Sequence, residues 1–145
     1  MKIAKVRSVK TPTRGTSLSA GLDFYTPDDM EEIVLNPGES INIPSGIHAK
    51  IPHGYALIAF NKSGIATKKK FLVGACVVDE DYQGEIHLHV INSGKDTQTI
   101  IPGQKLVQMI LVPVSYDTCE ECSLDSLYTE KTERGTGGFG STGLK

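Results

Sequence analysis

Residues 134–143 read RGTGGFGSTG, five glycines, two threonines and a serine around one arginine and one phenylalanine. Such a stretch has no fold of its own, because glycine loses more backbone freedom on ordering than any other residue. Its residue types suit an anionic ligand. Glycines let backbone N–H groups approach a phosphate, and the hydroxyls of Ser141 and Thr142 add donors. Arg134 offers a planar fork for phosphate or for stacking, and Phe139 is an aromatic in a polar arm that suits a flat partner such as a nucleobase. Composition alone leaves a second reading open, a loose polar tail. Gly135, Gly137 and Gly140 satisfy G-x-G-x-x-G, but no helix follows and no acidic partner stands about 20 residues on, so a dinucleotide loop fails on context. A G-x-x-x-x-G-K-[ST] loop is absent.

A second group capable of chemistry is GACVVDEDYQGEIHLHVIN, residues 74–92. It reads as two apolar strands joined in a hairpin, with Asp79, Glu80 and Asp81 at the tip. Asp79 ends the apolar run, where partial desolvation and aimed backbone groups would make it a general base toward water. Asp81 reads as the cap of the turn. The bland alternative is a solvated acidic turn.

Other chemistry is weaker. Cys119 and Cys122 form a C-x-x-C, CEEC, but there is no second pair, and two acidic neighbours raise rather than lower a thiol pKa; surface cysteines are the expectation. Three cysteines argue against a disulfide framework and fit a reducing, cytoplasmic setting. The formal net charge of -2 gives no general attraction to nucleic acid or acidic membranes, so any anion site is local. The longest apolar run, FLVGACVV, is far below the ~20 residues of a bilayer span, and no apolar segment follows the basic N-terminus.

The elements that would position these groups are almost all strands. EIHLHVIN alternates Ile86, Leu88 and Val90 against His87, His89 and Ile91, the period of a half-buried strand. YALIAF and QKLVQMILVPVS are apolar runs of strand length, and KIAKVR, SINIP and HAKIP are shorter ones separated by glycine turns. No segment carries a helical stripe; CSLDSLY supplies a turn or two. Many short, punctuated strands imply an all-β barrel or sandwich in one domain, residues 1–128, with a flexible glycine-rich C-terminal arm over 129–145.

Five segments in order resemble the motifs of the trimeric dUTPase (deoxyuridine 5'-triphosphate nucleotidohydrolase) family: AGLDFYT (20–26), NKSGIA (61–66), GACVVDEDYQGE (74–85), GQKLVQMIL (103–111) and RGTGGFGSTG (134–143). The resemblance implies a jelly-roll-like β-barrel assembled as a homotrimer. Each active site would draw motifs one, two and four from one chain, motif three from a second and motif five from the third. The implied reaction is hydrolysis of dUTP to dUMP and pyrophosphate by water attack on the α-phosphorus, which keeps uracil out of DNA and supplies dUMP for dTMP synthesis.

Residue by residue, the resemblance makes Asp79 the group that orients and deprotonates the water. Asp23 would reach Mg²⁺ through water, the ion riding on the triphosphate. Backbone groups of Cys76, Val77 and Val78 and of the returning strand at His87 would read uracil, and Tyr82 would pack under the deoxyribose and exclude a 2′-hydroxyl. Lys62, Ser63 and Gly64 form the phosphate turn of motif two, and Gln108 a phosphate contact of motif four. In the arm, Phe139 covers the base, and Arg134, Gly140, Ser141 and Thr142 surround the phosphates. Two departures stand out. Lys62 replaces the family's usual arginine and loses its planar fork, and Cys76 stands where many relatives have glycine. The run Lys68-Lys69-Lys70 is either extra positive field or a solvated loop tip. The rival readings are a dCTP deaminase-type enzyme on the same barrel, using a glutamate such as Glu80 or Glu85, and a non-catalytic nucleotide-binding regulatory barrel.

Overall fold

The computed structural model describes residues 1–139 and 141. The chain divides into two compact units, Met1–Ser115 and Tyr116–Lys145.

The first unit is built from eleven strands and one helix: β1 (Lys2–Lys5), β2 (Leu22–Tyr25), β3 (Ile33–Leu35), β4 (Ser40–Pro44), β5 (Ile47–Lys50), β6 (Tyr55–Phe60), α1 (Ser63–Lys69), β7 (Phe71–Val73), β8 (Val77–Val78), β9 (His87–Asn92), β10 (Gln98–Ile100) and β11 (Lys105–Pro113). All pairings are antiparallel. A four-stranded sheet runs β2-β11-β6-β8 and a three-stranded sheet β4-β9-β7; β1 pairs with β5 and β3 with β10. The all-β expectation holds, and the segments EIHLHVIN, YALIAF, SINIP and QKLVQMILVPVS all supply strands.

The alternation that marks β9 in the sequence is the alternation that fills the core. Ile86, Leu88 and Val90 are each 1% exposed, whereas His87 faces solvent. They meet Phe24, Leu57, Phe71, Ile100, Leu106 and Met109 in one apolar cluster. Each such side chain is worth about 1.5–3 kcal/mol relative to exposure.

Two local expectations are corrected. The acidic turn does not close a hairpin: β8 pairs with β6, while both edges of β9 are taken, one by β4 and the other by β7. The turn therefore links two sheets. Motif two is also more than a turn, since Ser63 opens the helix α1. None of its residues is fully buried, so it carries no apolar stripe to read. It is held at its ends: Lys68 and Lys69 lie in the last turn, where cations suit the helix dipole, and Lys70 closes it in the left-handed conformation at φ 58°.

In the second unit, α2 (Leu124–Leu127) is the short helix that CSLDSLY suggested, with the Ser126 amide donating to the Ser123 hydroxyl at its start. Cys119 and Cys122 are exposed and free.

Candidate active site

Motifs one, two and four converge at one end of the four-stranded sheet. β2 carries Asp23 and β11 carries Gln108 directly opposite it, while Gln108 on its other side faces Phe60, two residues before Lys62. The Gln108 side-chain amide donates to the Asn61 carbonyl at 2.9 Å, and the Asn61 side chain accepts from the Val73 amide at 2.7 Å. Gly21 packs closely here: a Cβ on it would lie 3.0–3.2 Å from the Gln108 side chain. Ser63 and Gly64 follow at the exposed start of α1.

The centre of this group is a buried carboxylate between two cations. Asp23 Oδ1 lies 2.8 Å from Lys62 Nζ and Oδ2 lies 2.8 Å from Lys105 Nζ, with the Asp23 side chain 8% exposed. Burial pushes the Asp23 carboxyl up, but hydrogen bonds and charge from Lys105 and Lys62 more than offset it and hold the group below its usual range. The same contact, with Tyr25 adding to it, raises Lys105. Sequence reasoning did not assign Lys105. Lys105 and Gln108 would fall on opposite faces of a regular strand, but the register shifts between Lys105 and Val107, and this irregularity puts both beside β2.

Of the three lysines at 68–70, Lys69 is tied down: its ammonium donates to the Thr99 carbonyl at 2.8 Å. The Lys70 carbonyl accepts from Ser93. This run is partly structural: Lys69 is half-buried, while Lys68 and Lys70 are exposed.

Motif three lies along β8, the acidic turn and the start of β9. Cys76 is half-buried, packs against the core cluster and accepts from the Ala59 amide at 2.7 Å. That bond sets the phase of β8: Cys76 and Val78 face β6, so the peptide groups of Val77 face away from it. Just before β9 the Ile86 peptide bonds to Ser45 and Ile47, and on β9 the His89 carbonyl accepts from the Gly74 amide. The odd residues of β9 therefore turn their peptide groups toward the side where β7 departs, His87 among them. The strands β8 and β9 part here into an opening between the two sheets' pairings, with the backbone of Val77 on the β8 side and that of His87 on the β9 side.

The turn itself is clamped. The Tyr82 amide donates to the Asp79 carbonyl. Glu80 Oε2 accepts from the Gly54 amide and Oε1 lies 2.9 Å from His53 Nδ1. Glu85 accepts from the Gly46 amide at 2.6 Å, and His48 Nδ1 donates to the Gln83 carbonyl at 2.9 Å. The Tyr82 hydroxyl donates to the Glu85 carbonyl at 2.9 Å, and a Cβ added to Gly84 would lie 2.3 Å from that hydroxyl oxygen and 2.5 Å from the ring. A hollow of about 480 Å³ separates the turn from the β1–β5 ribbon, lined by Tyr82, Gln83 and Asp81 on one side and Ile3, His48 and Ala49 on the other. Asp79 is exposed. The partial desolvation expected of it is not supplied by this chain, because β8 is only two residues long and leaves Asp79 beyond the sheet edge.

In the second unit Arg134 and Gly137 hold each other: Nε donates to the Gly137 carbonyl and the Gly137 amide donates to the Arg134 carbonyl, both at 3.0 Å. Phe139 is exposed, at φ 50°, and Ser141 is exposed. Gly140 and Thr142 lie outside the described residues.

No group of three or more His, Cys, Asp or Glu side chains suited to a metal occurs among the described residues, and no helix among them is long and apolar enough to cross a membrane.

The dUTPase family model matches residues 7–143. A deoxyuridine 5'-triphosphate nucleotidohydrolase of Desulfitobacterium hafniense is 37% identical over 150 residues, covering 99% of this chain and 96% of that protein. One from an Enterobacter species is 40% identical over 138 residues, covering 92% and 87%. Among solved structures, the dUTPase of Staphylococcus bacteriophage 80alpha with dUpNHpp superposes with a TM-score of 0.87 at 20% identity, covering 99% of this chain and 98% of that one. A mutant dUTPase of phage phi11 of S. aureus, whose structure describes the coordination of a structural Mg(II) ion, gives 0.75 at 20% identity over 83% and 95%. These structural likenesses give the fold, the dUTPase β-barrel of jelly-roll type. The family match takes in all five segments from which the lysine–carboxylate cluster, the strand opening and the arm are drawn, and the chain belongs to the dUTPase family.

Proposed function

We propose how this member of the dUTPase family carries out its reaction, the hydrolysis of dUTP to dUMP and pyrophosphate. The observation that carries the reading is the meeting of Gly21 and Asp23, Asn61 and Lys62, and Gln108 at one place, since these come from three motifs far apart in sequence. Lys62 brings positive charge, Gln108 an amide, and Ser63 and Gly64 backbone and hydroxyl donors to the triphosphate. Mg²⁺ enters with the triphosphate as part of the substrate. Both Asp23 oxygens are already engaged by lysines, which suits a carboxylate that meets the ion through water rather than as a direct ligand.

The base enters the opening between β8 and β9. Peptide groups of Val77 and His87, with Cys76 and Val78 fixing the strand between them, offer donors and acceptors to the edge of uracil, as one strand would to another. Tyr82 lies under the deoxyribose. Asp79 takes a proton from the water that attacks the α-phosphorus; the new P–O bond forms as the bond to the pyrophosphate oxygen breaks.

A homotrimer with shared sites accounts for the exposure of Asp79 and Tyr82 in a single chain: a neighbouring copy and the substrate would desolvate them. The arm of the third chain closes over the nucleotide, with Phe139 on the base and Arg134, Gly140, Ser141 and Thr142 on the phosphates. On this reading residues 1–128 form the catalytic barrel and 129–145 the arm, in a cytoplasmic protein. Against the deaminase alternative, Glu80 and Glu85 each already accept a backbone amide and so hold the turn.

The test is pyrophosphate release from dUTP, dCTP, dTTP and UTP in parallel, with Mg²⁺ and with EDTA, and with ammonia assayed from dCTP. Selective, metal-dependent release from dUTP is expected. Ammonia from dCTP, or no release from any nucleotide, overturns the reading.

A further inference from the structure

The two histidines that flank the β8–β9 opening are locked into opposite tautomers by their backbone partners. His87 Nδ1 lies 2.9 Å from the Glu85 carbonyl, which only accepts, so Nδ1 carries the proton. His89 Nδ1 lies 2.8 Å from the Ala75 amide, which only donates, so Nδ1 is the bare nitrogen and the proton is on Nε2.

The Ala75 contact sits where the strand changes partner. Up to Gly74 the chain belongs to β9: Val73 pairs with Val90, and the Gly74 amide donates to the His89 carbonyl at 3.1 Å. Were the ladder to continue, Ala75 would point its peptide away from β9 and Cys76 would face His87. Instead the Ala75 amide turns onto the His89 ring and Cys76 bonds to Ala59 of β6. The strand has changed phase across a single residue. Gly74 makes room for this, because a Cβ there would stand 1.9 Å from His89 Nδ1 and 2.3 Å from the neighbouring ring carbon.

We infer that His89 is the positioning residue of the base site: by accepting the Ala75 amide against Gly74, its imidazole diverts β8 from β9 to β6 and so leaves the Val77 and His87 peptides facing the gap between the two strands. The inference rests on the uracil-reading role proposed above. His89 acts through the backbone and does not touch the reacting atoms. Its loss therefore weakens base recognition and leaves the phosphate chemistry of Asp79 and Lys62 in place.

The experiment has two arms on the full-length protein. The first needs no turnover: the long-range imidazole ¹H–¹⁵N spectrum of the free protein near neutral pH is expected to show His89 as the Nε2–H tautomer, and an Nδ1–H signature for His89 overturns the inference. The second compares His89→Leu, which removes the acceptor, with His89→Asn, whose side-chain oxygen can replace Nδ1. His89→Leu is expected to raise the KM for dUTP about tenfold, with a much smaller change in kcat and a narrowed preference for dUTP over dTTP. His89→Asn is expected to bring KM most of the way back. Equal KM values in the two variants, or a loss confined to kcat, overturn the inference. If the unaltered protein hydrolyses no dUTP, the functional reading falls instead, and the tautomer is still judged by the spectrum.

Discussion

The ammonium groups of Lys62 and Lys105 lie 2.8 Å from opposite oxygens of Asp23, so one buried carboxylate from motif one fixes cations delivered by motif two and motif four. The cluster carries one net positive charge where a triphosphate is expected. A lysine is a flexible point charge, and Asp23 supplies the orientation that the planar fork of an arginine would have carried by itself.

That arrangement sets a pH dependence. The Asp23 carboxyl is held below its usual range in the folded chain, so the unfolded chain binds its proton more readily. The stability that Asp23 contributes is therefore complete above the ordinary carboxylate pKa of about 4 and is lost as pH falls through the lower folded value. Lys105 has the opposite sign: its pKa is raised on folding, so its share persists to alkaline pH and disappears only there. Urea unfolding of the metal-free protein at fixed protomer concentration, from pH 7 down to pH 3, is expected to show an acid loss that is smaller in Asp23→Asn. Equal acid slopes would remove the cluster from the stability of the fold.

Asp79→Asn separates binding from chemistry. An amide keeps the shape of the side chain and cannot take the proton of the attacking water. Turnover is expected to fall by about 10²–10⁴, the usual worth of a general base, while binding of a non-hydrolysable dUTP analogue stays within a few-fold. Turnover near that of the unaltered protein would place the base elsewhere.

Tyr82 and Gly84 are a matched pair. The tyrosine ring lies where a Gly84 side chain would be, and its hydroxyl is anchored on the Glu85 carbonyl. Gly84→Ala must displace the ring and cost that bond, although Tyr82 itself is untouched. Both Gly84→Ala and Tyr82→Ala are expected to narrow the preference for dUTP over UTP, read as the ratio of kcat/KM values. If Tyr82→Ala alone did so, the ring would be tolerant of its position; if neither did, the sugar would be selected elsewhere.

What was legible in the sequence was what period and local chemistry carry. The alternation of Ile86, Leu88 and Val90 gave both the strand and its buried face, and the glycine-bounded runs gave β6 and β11. What was not legible depended on partners distant in the chain. Helix α1 contains Ser63, Gly64 and Thr67, weak helix formers with no apolar stripe, and is set by its ends and neighbours. The acidic turn reads as a hairpin because nothing in 74–92 says that both edges of β9 are already occupied. Lys105 was hidden by the register shift in β11, which breaks the two-residue period on which face assignments rest. His89 read only as an outward strand residue; the small residues Gly74 and Ala75 opposite it were the signal that backbone, not a side chain, lies against its ring.

The arm gives the last prediction. Its described residues are held by short-range bonds, Arg134 to Gly137 and Gly135 to Thr132, and Phe139 is exposed. Contacts of that range stabilise a turn and nothing larger, so on the proposed reading these described residues are ordered further by a ligand that offers Phe139 a flat surface and Arg134 an anion. Truncation after Glu133 removes Arg134, Gly135, Gly137 and Phe139 and none of the core cluster. The truncated protein is expected to keep the oligomeric state and thermal transition of the full chain, measured by light scattering and calorimetry, while kcat/KM for dUTP falls by about 10² or more. The ordering cost of the arm also predicts that full-length protein loses backbone mobility at Gly137 and Gly138 on adding a dUTP analogue. A truncated chain that unfolds or dissociates would instead make the arm part of the assembly, and the glycines would then serve its path between subunits rather than its closure over the nucleotide.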